Sequence, residues 1–220
     1  MRLMVNWSKI HTVFLDLDGT LLDLHFDNHF WLKYVPECYA EHKQLSLEES
    51  HEQLNRKYSE VYGSLNWYCV DYWTEELGLD IAALKHNIRD KICIRPYVVE
   101  FLEALHMHGK RVVLVTNAHP LSFQVKFDQT GLGHYFHRVI TSHELHHPKE
   151  DQAFWQALEQ VEEVDKSATL FIDDNFNVLD AAAEYGIEHL LAIRQPDSTE
   201  EDKQHEHYSL LDSFEDIIPQ

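Results

Sequence analysis

Basic residues are scarce: 18 Lys and Arg face 38 Asp and Glu, which leaves a formal charge of −20 with neutral histidines. Such a surface repels a phosphate backbone and argues against any nucleic-acid-binding role. Cysteine is scarcer still. Cys38, Cys69 and Cys93 are odd in number and widely spaced, which fits neither a disulfide framework nor a zinc motif, and they read as reduced, mostly buried thiols. With only 7 Gly and 6 Pro, 44% hydrophobic and 25% charged residues, the composition is that of an ordinary globular chain and excludes a disordered one. No apolar run approaches the roughly 18 residues that span a bilayer, and the opening MRLMVNWSKIH lacks the apolar stretch of a secretion signal. The expectation is a cytoplasmic protein with no membrane partner.

Histidine, by contrast, is abundant. Protonating all 17 would carry the formal charge from −20 to −3, so solubility should suffer in mild acid. The densest group, His143, His146 and His147, reads as surface-loop histidines rather than a metal cluster, because nothing fixes further ligands.

Short runs rich in Val, Ile, Leu and Thr alternate with amphipathic ones. HTVFLDLD (11–18), RVVLVTN (111–117), RVITS (138–142), ATLFIDD (168–174) and HLLAI (189–193) read as strands. PYVVEFLEALHMHG, LSFQVKFDQTGL, EDQAFWQALEQV and NVLDAAAEYG read as helices, three of them with glycine stops at Gly109, Gly131 and Gly186. This alternation is the βαβ signature of a parallel sheet covered on both faces. Strands one and two, however, lie some 90 residues apart, where a simple crossover unit needs about 30. Residues 24–95 are therefore expected to form an inserted helical domain, leaving 1–23 and 96–220 as a discontinuous α/β core. Eleven of the 26 aromatic residues fall in the insert, and most read as the packing of two helical hairpins. Beyond Arg194, QPDSTEEDKQHEH shows no pattern, and YSLLDSFEDII reads as a short docking helix.

In a parallel sheet the ligand site forms beyond the carboxyl ends of the strands. Strand one delivers Asp16, Asp18, Gly19 and Thr20 there, strand two Thr116 and Asn117, and strand four Asp173 and Asp174, while Lys149 lies in a nearby loop. Four carboxylates so close repel one another unless a cation sits among them, and a hard divalent ion such as Mg²⁺ suits oxygen ligands. Four carboxylates and one ammonium leave the site at −3, which repels an anion; with Mg²⁺ it stands at −1, and a small phosphate ester held by the ion, Lys149 and Thr116 becomes feasible. Asp16 and Asp18, two residues apart, face the same side. Such a pair can divide labour between nucleophilic attack on phosphorus and proton transfer to and from the leaving oxygen, or it can simply hold a structural metal.

Asp16-Leu-Asp18-Gly19-Thr20, Val115-Thr116-Asn117, Pro148-Lys149 and Phe171-Ile-Asp173-Asp174 resemble, in order and spacing, the four motifs of the haloacid dehalogenase-like (HAD) superfamily. The resemblance covers residues 11–193. It implies a Rossmann-like parallel-sheet core, a C1-type helical cap inserted after the first strand, and Mg²⁺-dependent phosphomonoester hydrolysis through an aspartyl-phosphate. On the matching positions it implies that Asp16 is the nucleophile and Asp18 the acid/base whose carbonyl also reaches Mg²⁺. It further implies that Thr116 and the Asn117 backbone bind phosphate, that Lys149 steadies nucleophile and phosphoryl group, and that Asp173 ligates the metal with Asp174 nearby. Many relatives place proline after the motif lysine, whereas here Pro148 precedes it and Glu150 follows.

LDLDGTLLDLHFDNHFW, SLNWYCVDYW, TNAHP and PKEDQAFW further resemble the bacterial branch that hydrolyses the purine nucleoside monophosphates GMP and IMP, which makes a 5'-nucleotidase the expected activity. A phosphatase or mutase acting on a small sugar phosphate is the alternative. A dehalogenase would not need the carboxylate of Asp18, and a receiver module would lack both the insert and the Asp-x-Asp pair. In the insert, Trp67 or Tyr72 could stack on a base, Asn28, Asn66 or Asp71 could read its edge, and segments 22–25 and 92–96 are expected to act as hinges.

Overall fold

The computed structural model describes residues 5–220; residues 1–4, which open both the segment read for a leader and the expected core domain, lie outside the described residues. Six strands form one sheet: β1 Thr12–Leu15, β2 Arg111–Thr116, β3 Arg138–Thr141, β4 Thr169–Asp173, β5 His189–Ile193 and β6 Leu210–Leu211. Their order is β3-β2-β1-β4-β5-β6, and every neighbouring pair is parallel. The chain thus builds outward from β1 to β3, then returns to the other side of β1 to lay down β4. That reversal leaves a crevice between β1 and β4 at their carboxyl ends, the place where open α/β sheets hold ligands.

The strands are uniformly apolar because helices cover both faces. Along β1, Val13 and Leu15 pack with Phe101, Leu114 and Ile172 on one side, while Phe14 packs with Trp155, Phe171 and Leu179 on the other. The four core helices expected from periodicity occur as Val98–Met107, Pro120–Thr130, Gln152–Val161 and Phe176–Tyr185. Gly131 and Gly186 close two of them in the left-handed conformation that favours glycine.

Between β1 and β2 the chain is helical, with a separate core. Helix His25–His29 runs through a π-helical turn, Phe30–Tyr34, into Val35–Lys43, followed by Leu47–Val61, Leu65–Tyr68, Val70–Leu77 and Ile81–Asn87. The helix at Leu47 starts on a capping box: Ser46 Oγ accepts from Glu49 N at 3.2 Å and Glu49 Oε2 accepts from Ser46 N at 2.8 Å. Trp73 is the hub of this core, with ring centroids of Tyr58 and Tyr72 each 5.1 Å away in edge-on geometry and its indole N–H donating to Trp67 O at 2.9 Å. The two chain segments joining insert and sheet run side by side: Leu22 bridges Ile94 in antiparallel fashion, Asp23 N donates to Cys93 O at 2.9 Å, and Arg95 N donates to Leu21 O at 3.0 Å.

Three expectations need correction. The first strand stops at Leu15, with one further ladder bond from Asp16 N to Ile172 O, so Asp18 sits in the turn beyond it. YSLLDSFEDII is not a helix: Leu210 and Leu211 pair with Ala192 and Ile193 as β6, and Ser213 caps a 3-10 turn, Phe214–Ile217, whose Phe214 packs 5.0 Å from Phe101. An unpaired edge on β5 and Pro219 just downstream together favour strand and turn over helix. Finally, the thiols are less buried than expected, with Cys93 exposed and Cys38 and Cys69 intermediate.

Replacing Trp73 by Ala removes the largest side chain of the insert core and should cost about 3 to 5 kcal/mol. Urea denaturation is the check; a loss below about 1 kcal/mol would mean that the insert does not depend on this hub.

Candidate active site

A cavity of about 460 Å³ opens between the carboxyl ends of the strands and the helical insert. Asp16, Asp18, Thr116, Asn117, Lys149, Asp173 and Asp174 all line it, so the seven residues expected to carry the chemistry reach one place. Lys149 is the centrepiece. Its ammonium donates to Asp16 Oδ1 and Asp173 Oδ2, both at 2.6 Å, and to Val115 O at 3.1 Å. The preceding proline does not displace it: its backbone N–H donates to Asn117 Oδ1 at 2.9 Å, and Trp155 Nε1 holds its carbonyl at 2.9 Å.

The carboxylates divide into two groups. Asp16, Asp173 and Asp174 each offer an oxygen within 4.8 Å of the others, all three buried. The carboxylate of Asp18 turns away from them toward Lys126, whose Nζ stands 2.6 Å from Asp18 Oδ1, off the hydrogen-bond direction, and 2.7 Å from Asp27 Oδ2. Lys85 of the insert completes this second group at 2.8 Å from Asp27 Oδ1, with its ammonium 4.4 Å from the Phe30 ring centre. Lys203 donates to Asp174 O at 2.7 Å and Oδ2 at 3.1 Å.

Burial dominates the ionisation of these groups. It pushes Asp16, Asp173 and Asp174 up to about 6 despite the ammonium ions of Lys149 and Lys203. Asp18 also rises to about 6, through burial and the neighbouring charge of Asp27. Asp27 is the exception: burial acts to raise it, but Lys126 and Lys85 together outweigh burial and hold it at about 2. Burial would lower Lys149, yet Asp16 and Asp173 keep it above the ordinary lysine value.

Lys126, Lys85, Lys203 and Asp27 were not singled out by sequence. With them, five carboxylates meet four ammonium ions, so the metal-free site is close to neutral rather than −3. The donor set still fits a hard divalent ion: three buried carboxylates converge, and each retains a raised affinity for positive charge. Gly19, at φ +86°, is part of this cradle, since a Cβ there would lie 2.7 Å from Asp174 Cγ. Thr116 is ready to donate, because its Oγ1 already accepts from Ala118 N at 3.0 Å.

Above the strand ends the cavity is lined by insert aromatics, among them Trp31, Tyr58, Trp67 and Tyr68. Of the residues considered for base recognition, Trp67 and Asn28 face the cavity, whereas Tyr72, Asn66 and Asp71 are not part of its lining. The Asn28 amide donates to Asp197 Oδ2 at 2.7 Å, which commits one of its two amide hydrogens. Glu150 ties insert to sheet, accepting from Tyr68 OH at 2.7 Å and from Asn117 Nδ2 at 3.0 Å.

A family model described as haloacid dehalogenase-like hydrolase matches residues 10–186. The GMP/IMP nucleotidase YrfG of Escherichia coli (strain K12) is 41% identical over 219 residues, spanning 100% of this chain and 99% of that protein. Among solved structures, the HAD phosphatase from Thermococcus onnurineus superposes with a TM-score of 0.77 at 20% identity, covering 94% of this chain and 95% of that one. The L-2-haloacid dehalogenase of Xanthobacter autotrophicus, with chloropropionic acid covalently bound, follows the same fold at TM-score 0.62 and 16% identity, covering 94% and 96%.

The raised carboxylates set a pH dependence. Asp16, Asp173 and Asp174 release their protons near 3.8 when unfolded and near 6 when folded, so between these values the folded state binds more protons. Their contribution to stability is therefore full below about 4 and lost as pH rises through about 6. A divalent cation competes with those protons, so Mg²⁺ should raise the melting temperature more at pH 7.5 than at pH 5. Equal gains at the two pH values, or none in either, would show that this trio does not bind the ion.

Proposed function

This chain belongs to the haloacid dehalogenase-like hydrolases, and from that premise we propose that it hydrolyses phosphate monoesters through an aspartyl-phosphate, with purine nucleoside 5'-monophosphates as substrates. One observation carries the reading: Asp16 and Asp18 line a common cavity but belong to separate charge clusters, one on Lys149 and the other on Lys126.

Asp16 is the nucleophile. Its oxygen bonds to phosphorus while the ester P–O bond breaks, and Asp18, which holds its proton up to about 6, hands that proton to the departing alkoxide. Water then attacks the same phosphorus and gives a proton back to Asp18, which releases inorganic phosphate and restores the Asp16 carboxylate. Thr116 donates its free hydroxyl hydrogen to a phosphoryl oxygen, the Asn117 backbone assists it, and Lys149 offsets the charge of nucleophile and phosphoryl group. Mg²⁺ would be held by Asp16, Asp173 and the Asp18 carbonyl with Asp174 beside them, and when bound it supplies positive charge against the phosphoryl oxygens. Residues 24–95 serve as a cap over the core formed by 1–23 and 96–220, closing on hinges at 22–25 and 92–96 so that water is excluded during attack.

The 41% identity to a GMP/IMP nucleotidase supports the choice of substrate. So does the cap side of the cavity, where Trp31 and Trp67 supply aromatic surface on which a purine can stack.

Asp16→Asn should leave a folded protein whose turnover falls by several orders of magnitude; phosphatase activity within tenfold of wild type would remove Asp16 from the nucleophile role. Asp18→Asn should lose about 10² to 10⁴ in rate on an alkyl ester and distinctly less on an aryl ester whose phenol leaves without a proton. Equal losses on both esters would contradict the acid role.

Phosphate release across nucleoside monophosphates and sugar phosphates, with Mg²⁺ or EDTA, tests the substrate. Efficiency should be greatest for GMP and IMP, with AMP poorer by about 10² or more because a site that pairs a 6-oxo group leaves polar atoms unmatched against adenine. Equal efficiency on AMP, or preference for a sugar phosphate, would overturn the nucleotidase assignment and leave the phosphatase chemistry standing.

A further inference from the structure

A second cluster of metal-ligating side chains lies apart from the carboxylates. Cys69, His119 and His143 each place a ligand atom within 4.8 Å of the others, and Asp71 Oδ2 stands 3.6 Å from His119 Nε2. Cys69 and Asp71 sit at the start of insert helix Val70–Leu77. His119 precedes helix Pro120–Thr130 just past β2, and His143 lies in the short helix Ser142–Leu145 just past β3. The four side chains thus span the seam between insert and sheet, and His119 also lines the active-site cavity.

The hydrogen bonds around His143 fix its proton. Ser142 Oγ spends its hydrogen on Asn117 O at 3.1 Å, so at 3.3 Å from His143 Nδ1 it accepts. The ring proton therefore sits on Nδ1 and the lone pair on Nε2. That Nε2 is buried and has no hydrogen-bond partner among the described residues, a costly arrangement that a cation would relieve. Both rings are neutral at physiological pH, since burial pushes His143 down to about 4 and lowers His119 as well. Cys69 Sγ already accepts from Tyr72 N at 3.4 Å, a contact that strengthens for a thiolate.

We propose that Cys69, Asp71, His119 and His143 bind one Zn²⁺ ion that clamps the insert against the sheet. One thiolate, two imidazoles and one carboxylate form a borderline-soft, four-ligand set that favours zinc over the oxygen-seeking Mg²⁺. With bonds of about 2.0 to 2.3 Å, neighbouring ligands of tetrahedral zinc stand roughly 3.5 Å apart. Asp71 and His119 are already at 3.6 Å; the ligand atoms of Cys69, His119 and His143, within 4.8 Å of one another, must draw together, and the exposed Asp71 carboxylate must swing in toward Cys69 and His143. His119 must shift its ring proton to Nδ1 and give up the long 3.3 Å contact from Leu121 N. Cys69 loses its thiol proton to solvent, so affinity rises with pH. Because the ligands come from both sides of the seam, the ion holds the cavity closed and slows exchange with solvent.

Binding is read with metal-free protein in saturating Mg²⁺, which occupies the carboxylate site, by calorimetric titration of Zn²⁺ and by the absorbance of Co²⁺ as a spectroscopic stand-in. The expected result is one tight Zn²⁺ per chain, a thiolate-to-cobalt charge-transfer band, and a melting temperature raised by Zn²⁺. Loss of an outer-shell partner already costs about 10- to 100-fold in affinity, so Cys69→Ser and His143→Gln should each weaken binding by at least about 10²-fold and abolish the thermal gain. Cys69→Ser should also remove the charge-transfer band. Circular dichroism of the metal-free variants checks that they fold, and Asp173→Asn should leave the tight site intact. No tight site in wild type, unchanged affinity in both Cys69→Ser and His143→Gln, or a tight site without the thiolate band would each overturn the proposal, the last two placing the zinc on other surface histidines.

Discussion

Everything at the sheet edge depends on one ammonium ion. Lys149 stands 2.6 Å from both Asp16 and Asp173, and without it β1 and β4 would end side by side in buried, mutually repelling carboxylates. Buried charge survives in a fold only when it is paired and its remaining valences are satisfied, and here three bonds from one nitrogen meet that condition. The parallel order β2-β1-β4 makes the pairing possible, because it brings two strands distant in sequence to end at the same level. Lys126 repeats the arrangement one layer out, bridging Asp18 of the core and Asp27 of the insert.

Insert and site are therefore joined by charge as well as by packing. A second connection runs from Tyr68 through Glu150 to Asn117, whose Oδ1 receives the backbone N–H of Lys149. Moving Tyr68 disturbs the residue that positions the central lysine within two hydrogen bonds. Contact between insert and sheet thus reaches the support of Lys149 itself.

The strands and the four motif positions were legible because both follow local rules: β-branched runs with polar ends, glycine stops, and carboxylates placed just past a strand. Other features hid for physical reasons. Lys126 and Lys85 occur at helical positions where a lysine ordinarily faces water, and nothing nearby in sequence marks them as buried; their partner Asp27 comes from a helix about a hundred residues before Lys126. Lys203 lies in a stretch without periodicity and becomes informative only once Asp174 is beside it. The two-residue β6 is too short for alternation to register. Cys69 and His143 carry no spacing signature because their ligand set assembles across the seam, whereas His146 and His147, adjacent in sequence, belong to neither group of converging ligand atoms.

The paired segments at Leu22 and Ile94 have a consequence for how such a chain changes over generations. The helical insert leaves and rejoins the sheet layer through two neighbouring, hydrogen-bonded stretches, so the sheet meets it as it would meet a short hairpin, whatever lies beyond. Any segment whose ends meet at the spacing of two antiparallel strands can be grafted there without altering β1 or β2. The sheet edge and the helical insert are heritable as separate parts, and recombination at this neck would exchange the second while leaving the first in place.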